Sequence, residues 1–237
     1  MKRILLLLPA LSLNRAIACT TCNKQLQDAI HDSSFYPNLA VMLSAFFVLA
    51  VIVVLLTWMS QKKRQRFINQ HTGYTLLDPV PLTTVSIILG IGLGGFIDGI
   101  LFHQVLQWHE MLSNKVAVDT LLGKSVNMFW DGIFHLFCWI VLFIGIIMLW
   151  KLLYRKDINI SGKLLSGGLL LGWGLFNVVE GLINHHLLDL HYVRQFTPDP
   201  DVANYALDAV SLVMIIAGWL MCYRNGNYQE VAGDRRV

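Results

Sequence analysis

The sequence predicts an all-α integral membrane bundle of about five transmembrane helices, with a core of four built as two parallel-repeat helical hairpins. The 237 residues are 55% hydrophobic and only 14% charged, far more apolar than an ordinary soluble domain. A spanning helix needs about 20 mostly apolar residues, and five stretches satisfy this. They are residues 39–59, 82–104, 126–150, 164–185 and 205–222. The remaining connections are too short to hold a separate soluble domain.

Basic residues are distributed unequally between the two sides of the predicted spans. Eleven lysines and arginines flank the spans on one side of the mature chain, and four do so on the other. By the positive-inside rule, the richer side is cytoplasmic, so we expect the mature N-terminus outside and the C-terminus in the cytoplasm. The net charge of +3 therefore sets topology, and nucleic acid is not an expected partner.

The N-terminal segment has the features of a secretory signal. Two basic residues precede an apolar run and a small-x-small site that ends at Ala18, so residues 1–18 are a signal peptide or a signal anchor. A lipid on Cys19 stays open as a third reading. Cys19 and Cys22 form a Cys-x-x-Cys outside the membrane, which predicts a disulfide or a pair of metal ligands.

The chain is therefore expected to divide into six segments. They are the signal segment 1–18, the extracytoplasmic Cys-x-x-Cys segment 19–38, the first transmembrane helix 39–60, the cytoplasmic connector 61–81, the four-helix core 82–223 and the cytoplasmic tail 224–237.

An internal repeat is the most informative feature of the core. The shared pattern is acid-Gly-aliphatic-aliphatic-x-His-x-aliphatic-Leu-x-x-His, beginning at Asp98 in one copy and at Glu180 in the other. Each copy is followed by a span with an acid near its outer end, Asp131 or Asp208. Both copies run in the same direction, which predicts a pseudo-two-fold axis along the membrane normal.

The repeated acids and histidines predict a metal site near the outer surface. Four acids, one from each core helix, fall roughly 6 to 9 Å below the outer boundary. Buried carboxylates must be neutralised, and imidazole with carboxylate is a ligand set for zinc, copper or iron. The candidate metal residues are Asp98, His103, His109, Asp131, His135, Glu180, His185, His191 and Asp208.

Straight-helix geometry limits which of these groups can share one ion. Asp98 and His109 lie about 20° from eclipsed but differ by ~16 Å in height on a straight helix. His103 is turned by about 140° from Asp98. The three groups therefore cannot bind one ion unless the helix breaks.

Two other pairs are then expected to meet. Asp131 and His135 lie one turn apart on one face, and His103 and His185 occupy equivalent positions across the pseudo-axis. An ion between the helices could use both pairs.

Other readings of the same residues stay open. Histidines on facing helices could bind haem iron in an electron carrier, and intramembrane acids could serve a proton or metal-ion transporter. Single residues could also act as interfacial anchors or helix caps. The sequence has no recognisable nucleophile with its base and no phosphate-binding loop, so an enzyme is not favoured.

Three runs of the core share their acid, glycine and histidine positions with a known family: GGFIDGILFHQVLQWHEMLS, WDGIFHLFCWIVL and GWGLFNVVEGLINHHLLDLHYVR. The chain resembles, over about residues 81–224, a family of predicted bacterial membrane proteins designated domain of unknown function number twenty-two forty-three. The resemblance implies a four-span core with an N-terminal extension, the bacterial cytoplasmic (inner) membrane and no established activity. It also implies a loose association with copper oxidase assembly, which favours copper and suggests a respiratory oxidase or a metal chaperone as partner.

Overall fold

The fold is an all-α membrane bundle, as the composition predicts. The computed structural model describes residues 23–70, 76–226 and 229–230. The signal segment 1–18 and the Cys19–Cys22 motif lie outside the described residues. Within the described part, five helices are long and apolar enough to cross a membrane.

Six α-helices and two π-helical segments make up the bundle in the part of the chain that the structure describes. The helices are α1 (Lys24–Ile30), α2 (Phe35–Gln70), α3 (Val80–Ile97), α4 (Leu121–Leu152), α5 (Gly162–Glu180) and α6 (Pro200–Asn225). The first π segment, Asp98–Val105, continues α3, and the second π segment, Gly181–Leu187, continues α5. Two short strands, β1 (Leu76–Leu77) and β2 (Gln229–Glu230), pair antiparallel at the end of the bundle away from the π segments.

The helices α3 and α5 form the centre of the bundle. Of their spans, 61% and 56% is buried, against 17% for α4 and 11% for α6. α4 packs on α3, and α6 packs on α5. The outer helices expose apolar side chains such as Phe143 and Val213, as expected of surfaces that contact lipid.

The two central helices cross at a pair of glycines. A Cβ on Gly90 would collide with the carbonyl oxygen of Leu169, and a Cβ on Gly172 would collide with the carbonyl oxygen of Ile87. Each helix thus leaves room for the backbone of the other, as at other small-residue interfaces in membranes. The two contacts are counterparts, because Gly172 and Leu169 occupy the positions in the second copy of the repeat that Gly90 and Ile87 occupy in the first.

Other local features recur at corresponding positions of the two copies. The two π segments begin at nearly equivalent positions of the repeat: the second begins one residue later than the counterpart of the first. The turn after each segment contains a non-glycine residue with positive φ, Gln107 at 49° and Asp189 at 47°. The amide of Leu106 donates to the carbonyl of Leu101, and in the second copy the amide of Leu188 donates to Ile183. The two hairpins therefore follow the same path.

The helix that contains the first span is longer than predicted. α2 begins at Phe35 and continues to Gln70, so half of the segment expected to be a connector, 61–81, is helical. A helix satisfies its own backbone in lipid and in water alike, and residues 61–66 are mostly strong helix formers such as Gln, Lys and Arg. Hydrophobicity marks where a helix leaves the membrane but not where it ends.

Candidate metal centre

The change from α-helix to π-helix sets the positions of the repeated acids and histidines. In a π-helix the hydrogen bonds run from i to i+5, so residues five apart stack on one face. Asp98 Oδ2 accordingly lies 3.2 Å from His103 Nε2, and Glu180 Oε2 lies 3.3 Å from His185 Nε2. The wide angular separation predicted for Asp98 and His103 is therefore wrong, because the helix is not α-helical there.

Each π segment ends in a turn that brings the second histidine back to the acid. Beyond the turn, His109 Nε2 lies 4.0 Å from Asp98 Oδ1, and His191 Nε2 lies 3.3 Å from Glu180 Oε1. The ~16 Å separation expected for a straight helix is wrong because the helix ends at Val105. We call the resulting group the histidine cluster; its members are Asp98, His103, His109, Glu180, His185 and His191.

The two loops exchange hydrogen bonds that orient the second histidine of each hairpin. His109 Nδ1 donates to the carbonyl oxygen of Val193 at 2.8 Å, and His191 Nδ1 donates to the carbonyl oxygen of Met111 at 3.0 Å. A carbonyl oxygen can only accept, so Nδ1 carries the proton in both rings. The Nε2 atom of each neutral ring is then a free lone pair that faces the cluster.

A carboxylate orients His103 in the same way. His103 Nδ1 lies 2.8 Å from Asp131 Oδ1, which also accepts the amide of Met111 at 2.9 Å. This is the carboxylate–histidine arrangement that fixes metal-ligating imidazoles in many metalloproteins. Asp131 therefore supports the cluster through the ring of His103.

Several buried polar atoms face one another without a hydrogen-bond partner. Among the described residues, the unpartnered atoms of the cluster are Asp98 Oδ2, His103 Nε2, His109 Nε2, His185 Nδ1, His185 Nε2 and His191 Nε2. All the residues involved are at most 8% exposed, and unsatisfied groups at this depth are costly in apolar surroundings. The cluster therefore needs a cation or protons to complete it.

The imidazole rings that meet across the pseudo-axis are not the predicted pair. His109 and His191 stack at a centroid distance of 4.5 Å with an interplanar angle of 9°. His103 contacts His109 at 4.3 Å, and His185 contacts His191 at 4.7 Å. The expected pairing of His103 with His185 is replaced by this chain of four rings, because the loops fold back over the helix ends.

Burial keeps the two loop histidines neutral. It lowers the pKa of His109 well below the usual 6.5, and the neighbouring His103, His191 and His185 lower it further. Burial also lowers the pKa of His191. Neutral imidazole is the form that binds metal ions.

The loops that cover the cluster are held together by polar contacts. The amide of Asn114 donates to the carbonyl of Leu190, and the amide of Gln195 donates to the carbonyl of Trp108, both at 2.8 Å. The side chain of Asn114 also joins Asp189 and Gln195. The cover is therefore a joint structure of both hairpins.

Besides Asp131, two predicted site residues lie outside the cluster. His135 Nδ1 donates to the carbonyl oxygen of Asp131 at 2.6 Å, so the expected pairing of its ring with the Asp131 carboxylate is wrong. Its ring lies instead against Gly99, where a Cβ would be 2.5 Å from Nε2. Asp208, one of the four acids predicted near the outer surface, pairs with the exposed His186 at 2.8 Å.

The chain matches a known protein family. The sequence profile of a family described as "Predicted membrane protein (DUF2243)" matches residues 85–225. The chain belongs to this family. The matched region contains every residue of the histidine cluster together with Asp131. No solved structure matches the chain.

Sequence reasoning missed two asparagines within the family region. Asn127 accepts the amide of Leu112, and Asn204 accepts the amide of Val193, each at 2.8 Å. Each lies one helical turn before an acid, so the pattern Asn-x-x-x-Asp ends at Asp131 in one hairpin and at Asp208 in the other. The second loop is shorter than the first, so the offset between the two Asn-x-x-x-Asp copies differs from the offset between the two acid-Gly copies. An alignment on the acid-Gly pattern therefore does not superimpose the two asparagines.

Proposed function

We propose that this protein is an integral membrane metalloprotein whose histidine cluster binds divalent transition metal ions at the extracytoplasmic face. The observation that carries the proposal is the orientation of three histidines. His103, His109 and His191 each donate from Nδ1 to a protein acceptor, which leaves three buried Nε2 atoms close together and without a hydrogen-bond partner. Metal-ligating histidines almost always donate the other ring N–H in this way, which fixes the tautomer and the ring orientation.

The separations within the cluster fit a metal ion. Two donors that are each about 2.1 Å from one ion lie about 3.0–3.5 Å apart in octahedral or tetrahedral geometry. The distances from His103 to Asp98 (3.2 Å) and from Glu180 to both His185 and His191 (3.3 Å) fall in this range. A small adjustment of side chains would therefore complete a coordination shell.

The donor types favour particular metals. Imidazole nitrogen and carboxylate oxygen suit Zn²⁺, Fe²⁺ and Cu²⁺, whereas Cu⁺ prefers sulfur ligands. The described cysteines contribute no sulfur to the cluster: Cys138 packs against Gly95, and Cys222 lies near Leu164. Copper would thus be held here as Cu²⁺, and zinc or iron fits equally well.

Haem and transport are less well supported. Axial haem ligation places iron and a porphyrin plane between two imidazoles, but the facing rings of His109 and His191 are already stacked at 4.5 Å. Transport needs a polar path across the bundle. From the Gly90–Gly172 crossing to the opposite end, α3 carries no ionisable side chain and α5 carries only Lys163, and the structure describes both helices throughout.

The proposed cellular setting follows from charge and topology. Basic residues flank the spans at the end away from the cluster, so the positive-inside rule places the cluster outside. In a bacterium, that location is the outer face of the cytoplasmic membrane. A metal centre there suits metal storage, delivery to a metal chaperone or maturation of a respiratory oxidase.

Metal analysis of the purified full-length protein tests the proposal. The protein is extracted in mild detergent with an affinity tag that contains no histidine, and metal is measured by mass spectrometry against protein concentration. We expect stoichiometric metal in the wild type and a loss of about tenfold or more in the double variant His103→Ala/His191→Ala.

A matched control removes two histidines outside the cluster. The variant His31→Ala/His186→Ala deletes two exposed imidazoles and should retain its metal. Absence of metal from the wild type, both as isolated and after titration with Zn²⁺, Fe²⁺ and Cu²⁺, would overturn the proposal. Equal loss from both double variants would also do so.

A further inference from the structure

The donor atoms of the histidine cluster fall into two groups that share one residue. Ligand atoms of His103, His109 and His191 lie within 4.8 Å of one another, and so do those of Glu180, His185 and His191. An ion holds its donors at about 2.0–2.2 Å, so two donors of one ion are at most about 4.4 Å apart. Only His191 belongs to both groups, and its single free nitrogen, Nε2, can bind only one ion. If His191 binds an ion together with Glu180 and His185, a second ion can use His103 and His109 with the nearby Asp98.

Each hairpin also supplies a matching set of one carboxylate and two imidazoles. In the first hairpin, Asp98 lies 3.2 Å from His103 and 4.0 Å from His109. In the second, Glu180 lies 3.3 Å from each of its own two histidines. The geometry therefore offers two neighbouring positions of similar chemistry.

From this geometry we infer that the cluster binds two divalent transition metal ions, one in each hairpin's set. The first hairpin retains its ion, and the second exchanges its ion readily. The inference rests on the proposed metal-binding function and adds the number of ions and their inequality.

The inequality arises from the groups that orient the ligands. In the first hairpin, Asp131 accepts from His103 Nδ1 at 2.8 Å. In the second, His185 Nδ1 has no partner among the described residues, although Asp208 occupies the place corresponding to Asp131. Loss of such a supporting carboxylate weakens metal binding by about 10–100-fold.

A single residue holds Asp208 away from this role. His186 Nε2 pairs with Asp208 Oδ2 at 2.8 Å, and the corresponding residue of the first hairpin is Gln104. Asp208 is nevertheless close to His185, because both side chains lie next to Gly181. A Cβ added to Gly181 would be 3.1 Å from Asp208 Oδ1 and 3.7 Å from His185 Nδ1.

The supporting acid of the second hairpin is also more exposed than that of the first. The side chain of Asp208 is 25% exposed, whereas that of Asp131 is 5% exposed. Water therefore competes with His185 for the carboxylate of Asp208.

Cobalt titration of the full-length protein tests the number of ions. The protein, carrying a tag without histidine, is stripped with chelator and titrated with Co²⁺, and bound metal is measured before and after passage over a weak chelating resin. We expect two ions per chain on titration and one after the resin. His185→Ala should lose only the ion that the resin removes, and His103→Ala should lose the ion that the resin leaves.

The variant His186→Gln tests the cause of the inequality. It gives the second hairpin the residue of the first at an exposed position, so folding should be unaffected and can be checked by circular dichroism. With Asp208 released to support His185, we expect the weaker site to bind Co²⁺ about tenfold more tightly. The matched control Gln104→Asn changes the corresponding residue of the first hairpin and should leave both affinities unchanged.

The outcomes separate this inference from the function on which it rests. No bound metal under any condition would overturn the proposed function itself. One ion per chain, lost equally in His103→Ala and His185→Ala, would leave metal binding standing and overturn the two-ion inference. Two ions with an unchanged weaker site in His186→Gln would overturn the assigned cause of their inequality.

Discussion

Two buried aspartates at opposite ends of α3 have contrasting surroundings. Asp78, just before the helix, is 2% exposed; its Oδ2 lies 3.0 Å from Arg64 Nε, and its Oδ1 accepts the amide of Val80 at 3.0 Å. Asp98, just after the helix, is 8% exposed, and its Oδ2 has no hydrogen-bond partner among the described residues. A buried acid is therefore no sign of a site by itself. An acid whose neighbours leave its oxygen unsatisfied is the informative case.

The largest effect is expected at the glycine crossing between these two ends. Gly90→Ala would force a methyl group onto the carbonyl of Leu169, and backbone cannot move away as a side chain can. We expect a loss of about 3 kcal/mol or more in unfolding free energy, together with loss of metal binding. Thermal unfolding in detergent measures this. Gly132→Ala is the control, since a Cβ there meets nothing within 4 Å; equal loss in both variants would contradict the packing argument.

Removal of Arg64 should destabilise the end of the bundle that contains Asp78 and leave the histidine cluster intact. Arg64→Ala leaves the carboxylate of Asp78 buried without its cation. We expect the unfolding free energy to fall by about 3 kcal/mol. This is the low end of the range for a broken buried ion pair, because the Arg64 side chain is 27% exposed. The melting temperature should fall while metal content per folded protein stays at the wild-type value. A parallel loss of metal would show that the two ends are not independent.

Metal should stabilise the protein through the cluster alone. An ion present at about 100 times its Kd stabilises the folded state by about 2.7 kcal/mol, and for a chain of this size the melting temperature should rise by about 5–10 °C. Arg64→Ala should keep this rise from its lower starting point, whereas His103→Ala should show a smaller rise because it loses the ion of the first hairpin. A rise in His103→Ala as large as in the wild type would contradict the assigned ligands.

The smallest effect expected is a pH dependence of the metal-free protein. The folded state lowers the pKa of His109 and His191 below the 6.5 of the unfolded chain, so protons bind preferentially to the unfolded state as the pH falls below 6.5. The unfolding free energy contributed by these groups should therefore decrease from pH 6.5 downward and stay constant above it. The double variant His109→Gln/His191→Gln should flatten this slope, and an unchanged slope would contradict the assignment.

The fold was predictable from the sequence because membrane helices are encoded by composition and length. Five apolar stretches long enough to span a bilayer, together with the repeated acid-Gly pattern, were sufficient to anticipate the bundle and its hairpins. The end of α2 was not predictable in this way, since Lys62 to Arg66 are as compatible with helix in water as with a connector.

The candidate residues of the site were predictable, but their geometry was not. The repeated acid-Gly-x-x-x-His pattern pointed to Asp98, His103, Glu180 and His185, yet a straight helix would separate each acid from its histidine. The π segments that unite them are rare in proteins, and the spacing of acid, glycine and histidine does not distinguish them from an α-helix. The supporting carbonyls of Met111 and Val193 carry no side-chain signal at all.

The exchanged carbonyl contacts have a consequence for the independence of the two halves. A hairpin alone would keep its acid and both imidazoles but would lack the acceptor that orients its second ring, since that acceptor belongs to the other loop. Such a fragment could build the cluster only by associating with another copy of itself, so that a backbone carbonyl of each copy accepts the hydrogen bond from the other copy's histidine. Joining both halves in one polypeptide makes that association intramolecular, and independent of protein concentration in the bilayer.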